Sequence, residues 1–375
     1  MDEKQYCVQL SVNPSRGLMD EKFVILVQNA PPGSELTVHA LHQCDDGHGW
    51  DAFAHYITDA TGSVNVSEDC SLGGRYSGIE PMGLLWSLRA VPGSKPGLRI
   101  QKKNVQEPML VTVSVYEGHR KEGFADLVPL ASVLVERWYM APGVRRIPVA
   151  EDGLTTTLFL PPGPGPLPTI LDLWGSVGQL VEYRAALMAS HGLAALTIDY
   201  LTADIVKETG KMVNLQYFET AYKFLQEHPQ ILGSRIAMLG LSLGSSVTVR
   251  MATYSEVMKV GRLQCPLMLI VGEDDQMSPT REAANDIKEM MGNGHLLTVL
   301  SYPDAGHLIE PPYTPHFPYG KFRSTITKKK MMVLWGGEPV AHSRAQEDSW
   351  KKILLFLWKN LLSETRPAAA PPSHL

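Results

Sequence analysis

The chain has 375 residues, 44% of them hydrophobic, enough for a core in each of two globular domains. Its 34 lysines and arginines face 39 acids, a net charge of −5, which excludes general attraction to nucleic acid or an anionic membrane surface. The four cysteines, Cys7, Cys44, Cys70 and Cys265, lie too far apart for a zinc or dithiol motif and read as reduced intracellular thiols.

The opening "MDEKQYCVQL" lacks the basic start and apolar run of a secretion signal, so secretion is not expected. Residues 1–140 alternate short β-type runs, among them "YCVQLSVN", "KFVILVQ", "LTVHALH" and "MLVTVSVYEG", with breakers such as "APPGSE", "DDGHG" and "DATGS". That spacing predicts an antiparallel β-sandwich whose two sheets need each other for burial.

From residue 141 the pattern changes. A hairpin is expected around Asp152-Gly153, and buried strands follow at 168–174, 193–200, 235–242, 266–272 and 296–302, separated by runs of helical period. Such alternation predicts a mainly parallel sheet flanked by helices over 141–362. The apolar stretch "LWGSVGQLVEYRAALMASHGLAALTIDYL" carries Glu182, Arg184 and Asp199, which exclude a membrane span. In the closing helix, Trp350, Leu354, Leu357, Trp358 and Leu361 share one face, as expected of a helix docked on the core. The Pro/Ala-rich tail 363–375 ends in Ser373-His374-Leu375, similar to the S-K-L peroxisomal address and able to offer itself to an import receptor. A peroxisomal location is the expectation, with the cytosol as the alternative.

Chemistry enters at Gly240-Leu241-Ser242-Leu243-Gly244, which follows the strand "RIAML" and precedes a helix. A serine hydroxyl needs a base, an orienting acid and oxyanion donors to act as a nucleophile, and this strand–turn–helix context is the nucleophile elbow of α/β-hydrolases. The partners should follow in the order acid, then histidine, on loops after later strands. Glu273-Asp274-Asp275 follows "PLMLIVG", and His307 follows "LLTVLSY" within "PDAGH". Asp275 would orient the imidazole of His307, which would take the Ser242 proton, with Asp274 and Asp304 as rival acids. The backbone N–H of Leu243 and one near Gly175 or Ser176 would hold the oxyanion. No motif suggests a metal or a phosphate loop. Arg145 and Arg146 read either as phosphate contacts or as a structural ion pair or solvated face.

Further stretches, "GGRYSGIEPMGLLWSL", "LVEYRAALMASHGLA", "GHLIEPPYTPH" and "LWGGEPVAHSRAQEDSW", resemble the acyl-CoA thioesterase and bile acid-CoA:amino acid N-acyltransferase family over nearly the whole chain. The resemblance implies an N-terminal immunoglobulin-like sandwich, a C-terminal α/β-hydrolase domain, and a triad of Ser242, Asp275 and His307. It implies hydrolysis of acyl-CoA to free acid and CoA through an acyl-enzyme, CoA being part of the substrate and no cofactor being needed. Serine in the elbow favours hydrolysis, where conjugating members generally carry cysteine; transfer to glycine or taurine is the alternative.

One departure stands out: Asp275 follows Ser242 by only 33 positions, too few for the strand, helix and loops that the family places between them. A missing internal segment after "SEVMK" is expected to shift the later strands by about 4.8 Å or to leave a gap in the sheet. Each backbone group buried unpaired would cost about 1–3 kcal/mol. A third reading follows, a shortened and catalytically impaired chain that at most binds acyl-CoA.

Overall fold

The computed structural model describes residues 7–176, 179–254, 265–291, 296–323 and 329–362. These form two compact units. One comprises the described residues up to Ala141 with Asp304–Phe322 and Lys330–Glu347; the other comprises the described residues of Pro142–Pro303, Arg323–Lys329 and from Asp348 onward.

The first unit is β-rich. Strands β1 (Gln9–Asn13), β3 (Val24–Gln28) and β6 (Val64–Asn65) form an antiparallel sheet in the order β1-β3-β6. A larger sheet joins β2 (Arg16–Leu18), β4 (Glu35–Gln43), β5 (Gly49–Ile57), β7 (Arg89–Ala90), β8 (Met109–Glu117) and β9 (Ala131–Trp138) in the order β2-β9-β8-β4-β5-β7. Its register sets Val38 opposite Val115 and Ala40 opposite Val113, with His39 opposite Ser114 between them, and all six are buried, while Leu41 and Leu110 lie in the open. Both faces of this strand pair are thus covered over that stretch. A one-turn helix, α1 (Gly83–Trp86), follows in the "MGLLWSL" stretch, where a Cβ on Gly83 would strike the Tyr76 ring at 2.4 Å.

The second unit is a mixed α/β domain. It opens with β10 (Arg145–Val149) and β11 (Thr156–Leu160), antiparallel across a loop in which Asp152 and Gly153 both take positive φ, as the expected hairpin requires. Then come β12 (Leu167–Leu173), β13 (Ala194–Ile198) and β14 (Ile231–Gly240), with helices α2 (Tyr183–Ser190), α3 (Asp204–Thr209) and α4 (Leu215–Glu227) between them and α5 (Leu243–Tyr254) after them. The sheet order is β10-β11-β13-β12-β14, with β12 parallel to both its neighbours. Every residue of β13 is buried, as is expected of a parallel strand covered on both faces. Leu171, Leu196, Phe218, Leu225 and Met251 belong to its core.

The remaining strands of this unit do not extend that sheet. β15 (Leu267–Gly272) and β16 (Leu297–Tyr302) pair in parallel with each other, flanked by α6 (Thr280–Met291), and among the described residues no ladder joins β15 to β14. From Arg235 to Gly240 β14 is at most half-buried, a second contrast with β13. The "SEVMK" junction on which the expected shortening falls lies outside the described residues.

The last elements are β17 (Tyr319–Arg323), β18 (Lys330–Leu334) and α7 (Pro339–Leu362). On α7, Trp350, Leu354, Leu357 and Leu361 are buried as expected, and Trp358 is half-buried. Among the described residues no helix is long and apolar enough to cross a membrane.

Candidate active site

Ser242 sits between the end of β14 and the start of α5 with φ of 55°, a left-handed conformation that a side chain enters only at a cost of order 1–3 kcal/mol. The surrounding glycines explain how the chain turns so sharply. A Cβ on Gly240 would lie 2.5 Å from the Gly244 carbonyl oxygen, and one on Gly244 would lie 2.0 Å from the Leu173 oxygen. The spacing of glycine, serine and glycine is therefore a steric requirement of this turn. Its backbone closes through Gly244 N–H donating to Leu241 O at 2.9 Å and Ser245 N–H to Ser242 O at 2.9 Å, and Leu243 is the first residue of α5.

The loop after β12 comes to the same place. A Cβ built on Gly175 would be 2.9 Å from Ser242 Cβ and 3.5 Å from its Oγ, so only glycine lets this backbone approach the hydroxyl. Ser176 follows in the same loop, half-buried; residues 177–178 lie outside the described residues. The structure thus brings Gly175, Ser242 and Leu243 together, with Ser176 adjacent in the chain.

Buried charges hold this loop and strand. Arg184 of α2 donates from Nε to Asp172 Oδ1 at 2.7 Å, and from Nη2 to the carbonyls of Leu173 at 3.3 Å and Leu239 at 3.2 Å. One guanidinium so ties β12, which leads to Gly175, to β14, which leads to Ser242. Its face also covers the Trp174 ring at 4.6 Å, and the Tyr200 hydroxyl donates to the Trp174 carbonyl. Burial pushes the Asp172 carboxyl up, against the pull of Arg184. The sequence marked Arg184 only as an obstacle to a membrane span; its signal was a charge inside an apolar run.

The other charges of that run are also engaged. Glu182 receives Arg146 through two nitrogens, at 2.8 and 2.6 Å, and the Thr157 hydroxyl at 2.6 Å. Asp199 accepts the N–H groups of Leu201 and Thr202. Of the two readings for Arg146, the structure contains the ion pair; Arg145 donates to Gln230 at 2.8 Å.

Asp275 lies in the turn after β15, half-buried, its Oδ1 accepting the N–H groups of Met277 at 2.8 Å and Ser278 at 2.9 Å. Asp274 receives the Gln276 amide and Glu273 the Ser301 hydroxyl. The two backbone donors fix the Asp275 carboxylate in its turn. His307 is half-buried in the loop after β16, its N–H donating to Trp335 O at 2.8 Å and its ring stacked on the Trp335 ring with centroids 5.7 Å apart. Asp304, three residues before it, takes φ of 56° and is exposed.

Among the described residues no group of three or more His, Cys, Asp or Glu side chains is placed to hold a metal ion. All four cysteines are unpaired. Ser373, His374 and Leu375 lie outside the described residues.

A serine elbow in a mixed α/β domain that follows a β-rich unit defines the class, and comparison with known proteins defines the family. The family model "Acyl-CoA thioester hydrolase/BAAT N-terminal region" matches residues 20–151, and "BAAT / Acyl-CoA thioester hydrolase C terminal" matches 213–260 and 254–363. Among relatives from Mus musculus, "Peroxisomal succinyl-coenzyme A thioesterase" is 33% identical, the match covering 94% of this chain and 96% of the relative. "Acyl-coenzyme A thioesterase 2, mitochondrial" is 33% identical over 95% of this chain and 90% of its own length. "Bile acid-CoA:amino acid N-acyltransferase" is 33% identical over 95% and 98%. The chain belongs to this acyl-CoA thioester hydrolase and N-acyltransferase family, as its motifs indicated.

The matches also carry a length difference. The alignment with the succinyl-coenzyme A thioesterase runs to 417 positions against a chain of 375, so at least 42 of them stand opposite no residue here. The C-terminal family model matches in two pieces that meet at 254–260, between α5 and β15.

Proposed function

We propose that the chain hydrolyses acyl-CoA thioesters to free acid and CoA, with Ser242 as nucleophile, His307 as general base and Asp275 as the acid that orients it. The observation that carries this reading is the left-handed Ser242 with Gly175 packed against it. Ser242 Oγ attacks the thioester carbonyl as His307 takes its proton, and the N–H groups of Leu243 and of Gly175 or Ser176 stabilise the oxyanion. The carbon–sulfur bond breaks, CoA leaves as thiolate and picks up the proton, and water activated by His307 releases the acid from the acyl-enzyme. A thiolate is a good leaving group, so proton donation to it matters less than in amide hydrolysis. CoA is then a product and no cofactor takes part.

Within this reading the first unit is an immunoglobulin-like sandwich and the second an α/β-hydrolase domain lacking a segment between α5 and β15. The separate β15–β16 ladder, the half-buried β14 and the two-piece family match support that shortening. Transfer of the acyl group to glycine or taurine is the second reading, supported by the N-acyltransferase relative. A chain impaired by the shortening, binding acyl-CoA without turning it over, is the third. Peroxisomal import through Ser373, His374 and Leu375 is proposed with the cytosol as alternative, the named relatives being divided between peroxisome and mitochondrion.

Mass spectrometry of the protein quenched during turnover tests the reading. An acyl adduct on Ser242, with free acid as sole product at saturating glycine and taurine, is expected. An amide product would move the assignment to transfer, and an adduct elsewhere would overturn Ser242 as the nucleophile.

A further inference from the structure

The loop carrying His307 is held by groups that the triad does not use. His342, in the first turns of α7, is fully buried, and its two ring nitrogens meet the residues on either side of His307. Nδ1 lies 3.0 Å from the N–H of Gly306, and Nε2 lies 2.8 Å from the carbonyl of Leu308. These partners fix the tautomer: an atom facing an N–H must accept, so the proton resides on Nε2 and is donated to Leu308 O. Burial pushes the His342 pKa down to about 4, which keeps Nδ1 unprotonated and able to accept at neutral pH. A protonated ring would set N–H against N–H at Gly306.

A second histidine braces the opposite wall. His316 stacks on His342 with centroids 3.5 Å apart and donates from Nε2 to Gly336 O at 2.7 Å. Gly336 follows Trp335, whose carbonyl accepts the His307 N–H and whose indole stacks on the His307 ring. The glycines leave no slack. A Cβ on Gly306 would lie 2.3 Å from Gly336 O, and one on Gly337, whose φ is +94°, would lie 2.7 Å from Gly306 N and 3.0 Å from His342 Nδ1. The stretches "AGH", "PPYTPH" and "WGGEPVAH" are thus one assembly around residue 307.

We propose that His342 is a positioning residue for the His307 imidazole, clasping the backbone on both sides of it through its two ring nitrogens, with His316 bracing the strand end on which that imidazole stacks. This inference rests on the reading of His307 as the general base. His342 and His316 act on the reaction only through the place they give that ring, and a general base displaced by about 1 Å loses on the order of 100-fold in rate.

The test compares His307→Ala, His342→Ala, His342→Asn and His342→Gln in the full chain, with turnover of short-, medium- and long-chain acyl-CoA normalised to the concentration of folded protein. Asn returns an acceptor near the Nδ1 position for Gly306, and Gln returns a donor near the Nε2 position for Leu308. His307→Ala is expected to lose about 1000-fold or more in kcat. His342→Ala is expected to lose roughly 10- to 100-fold in kcat with KM changed less than about threefold, and Asn and Gln to recover part of it. Full activity in His342→Ala beside a dead His307→Ala would overturn the positioning role alone; an active His307→Ala would overturn the base assignment on which it rests.

Hydrogen exchange of the 304–308 segment gives a readout that needs no activity. Faster exchange at Gly306 in His342→Ala, slowed again in His342→Asn, is expected; unchanged exchange would overturn the clamp.

Discussion

The turn that carries Ser242 and the turn that carries Asp275 are supported in different ways. Ser242 ends a strand of a five-stranded sheet, and its neighbours are backbone atoms so close that glycine is the only residue accommodated at 240, 244 and 175. Asp275 ends a strand of a two-stranded ladder, backed by a small cluster in which Ala252 and Met291 are buried and Ile287, Leu267 and Met238 partly so. Ser242 is therefore placed by steric exclusion, and Asp275 by local hydrogen bonds to Met277 and Ser278 on a lighter support. A chain losing residues between α5 and β15 would show this asymmetry, since the elbow is complete before that point and the acid comes after it.

The comparison can be broken at several places. The largest effect is expected from Arg184→Met, which leaves Asp172 buried without its partner and unties β12 from β14; about 3–5 kcal/mol should be lost in urea unfolding. A loss under about 1 kcal/mol would mean that the elbow does not depend on that clasp. Gly244→Ala forces a methyl group against the Leu173 carbonyl and should cost about 1–3 kcal/mol, with activity falling further than stability because the turn itself must shift. On the lighter side, Ile287→Ala should cost about 1–2 kcal/mol, below the usual range for a fully buried isoleucine, since the cluster is only partly covered. A larger cost would show that the β15–β16 ladder is as firmly built as the main sheet.

A pH dependence of size comparable to the last is also expected. Burial lowers the pKa values of His316 and His342, to about 2 and about 4, and Arg99 opposes protonation of both, with Arg89 acting on His316. Both take up protons on unfolding once the pH falls below about 6.5, so their contribution to stability is present above that value and is lost on acidification toward the folded-state pKa. The slope should reach about 1.4 kcal/mol per pH unit for each histidine between pH 6 and 5. Urea midpoints over this window should fall less steeply in His342→Gln than in the parent chain; identical slopes would mean that the pair is not buried neutral.

The turn at Ser242 was legible because its requirements are local. Gly240, Ser242 and Gly244 are neighbours in sequence, and the turn they form follows from backbone sterics over five residues. The hairpin at Asp152-Gly153 and the buried face of α7 are likewise short-range patterns, and Trp358 departs only by being half-buried. What escaped depends on residues far apart in the chain. Arg184 reaches the Leu239 carbonyl 55 positions later, and His342 finds the residues beside His307 from 34 and 36 positions away. No periodicity announces such meetings. Composition does mark where to look, because a charge within an apolar run must find a partner or stay out of the core. The 33-position spacing of Ser242 and Asp275 is read directly from the sequence, but how β15 and β16 pair depends on long-range pairing energies that no local pattern records.

The central claim is that a complete nucleophile elbow drives thioester cleavage despite that connection. Steady-state CoA release from a series of acyl-CoA esters, by the purified chain beside its Ser242→Ala variant, tests it most directly. The account predicts turnover by the parent chain and a loss of roughly 1000-fold or more in the variant. A folded parent chain without turnover, or a variant as active as its parent, would contradict it.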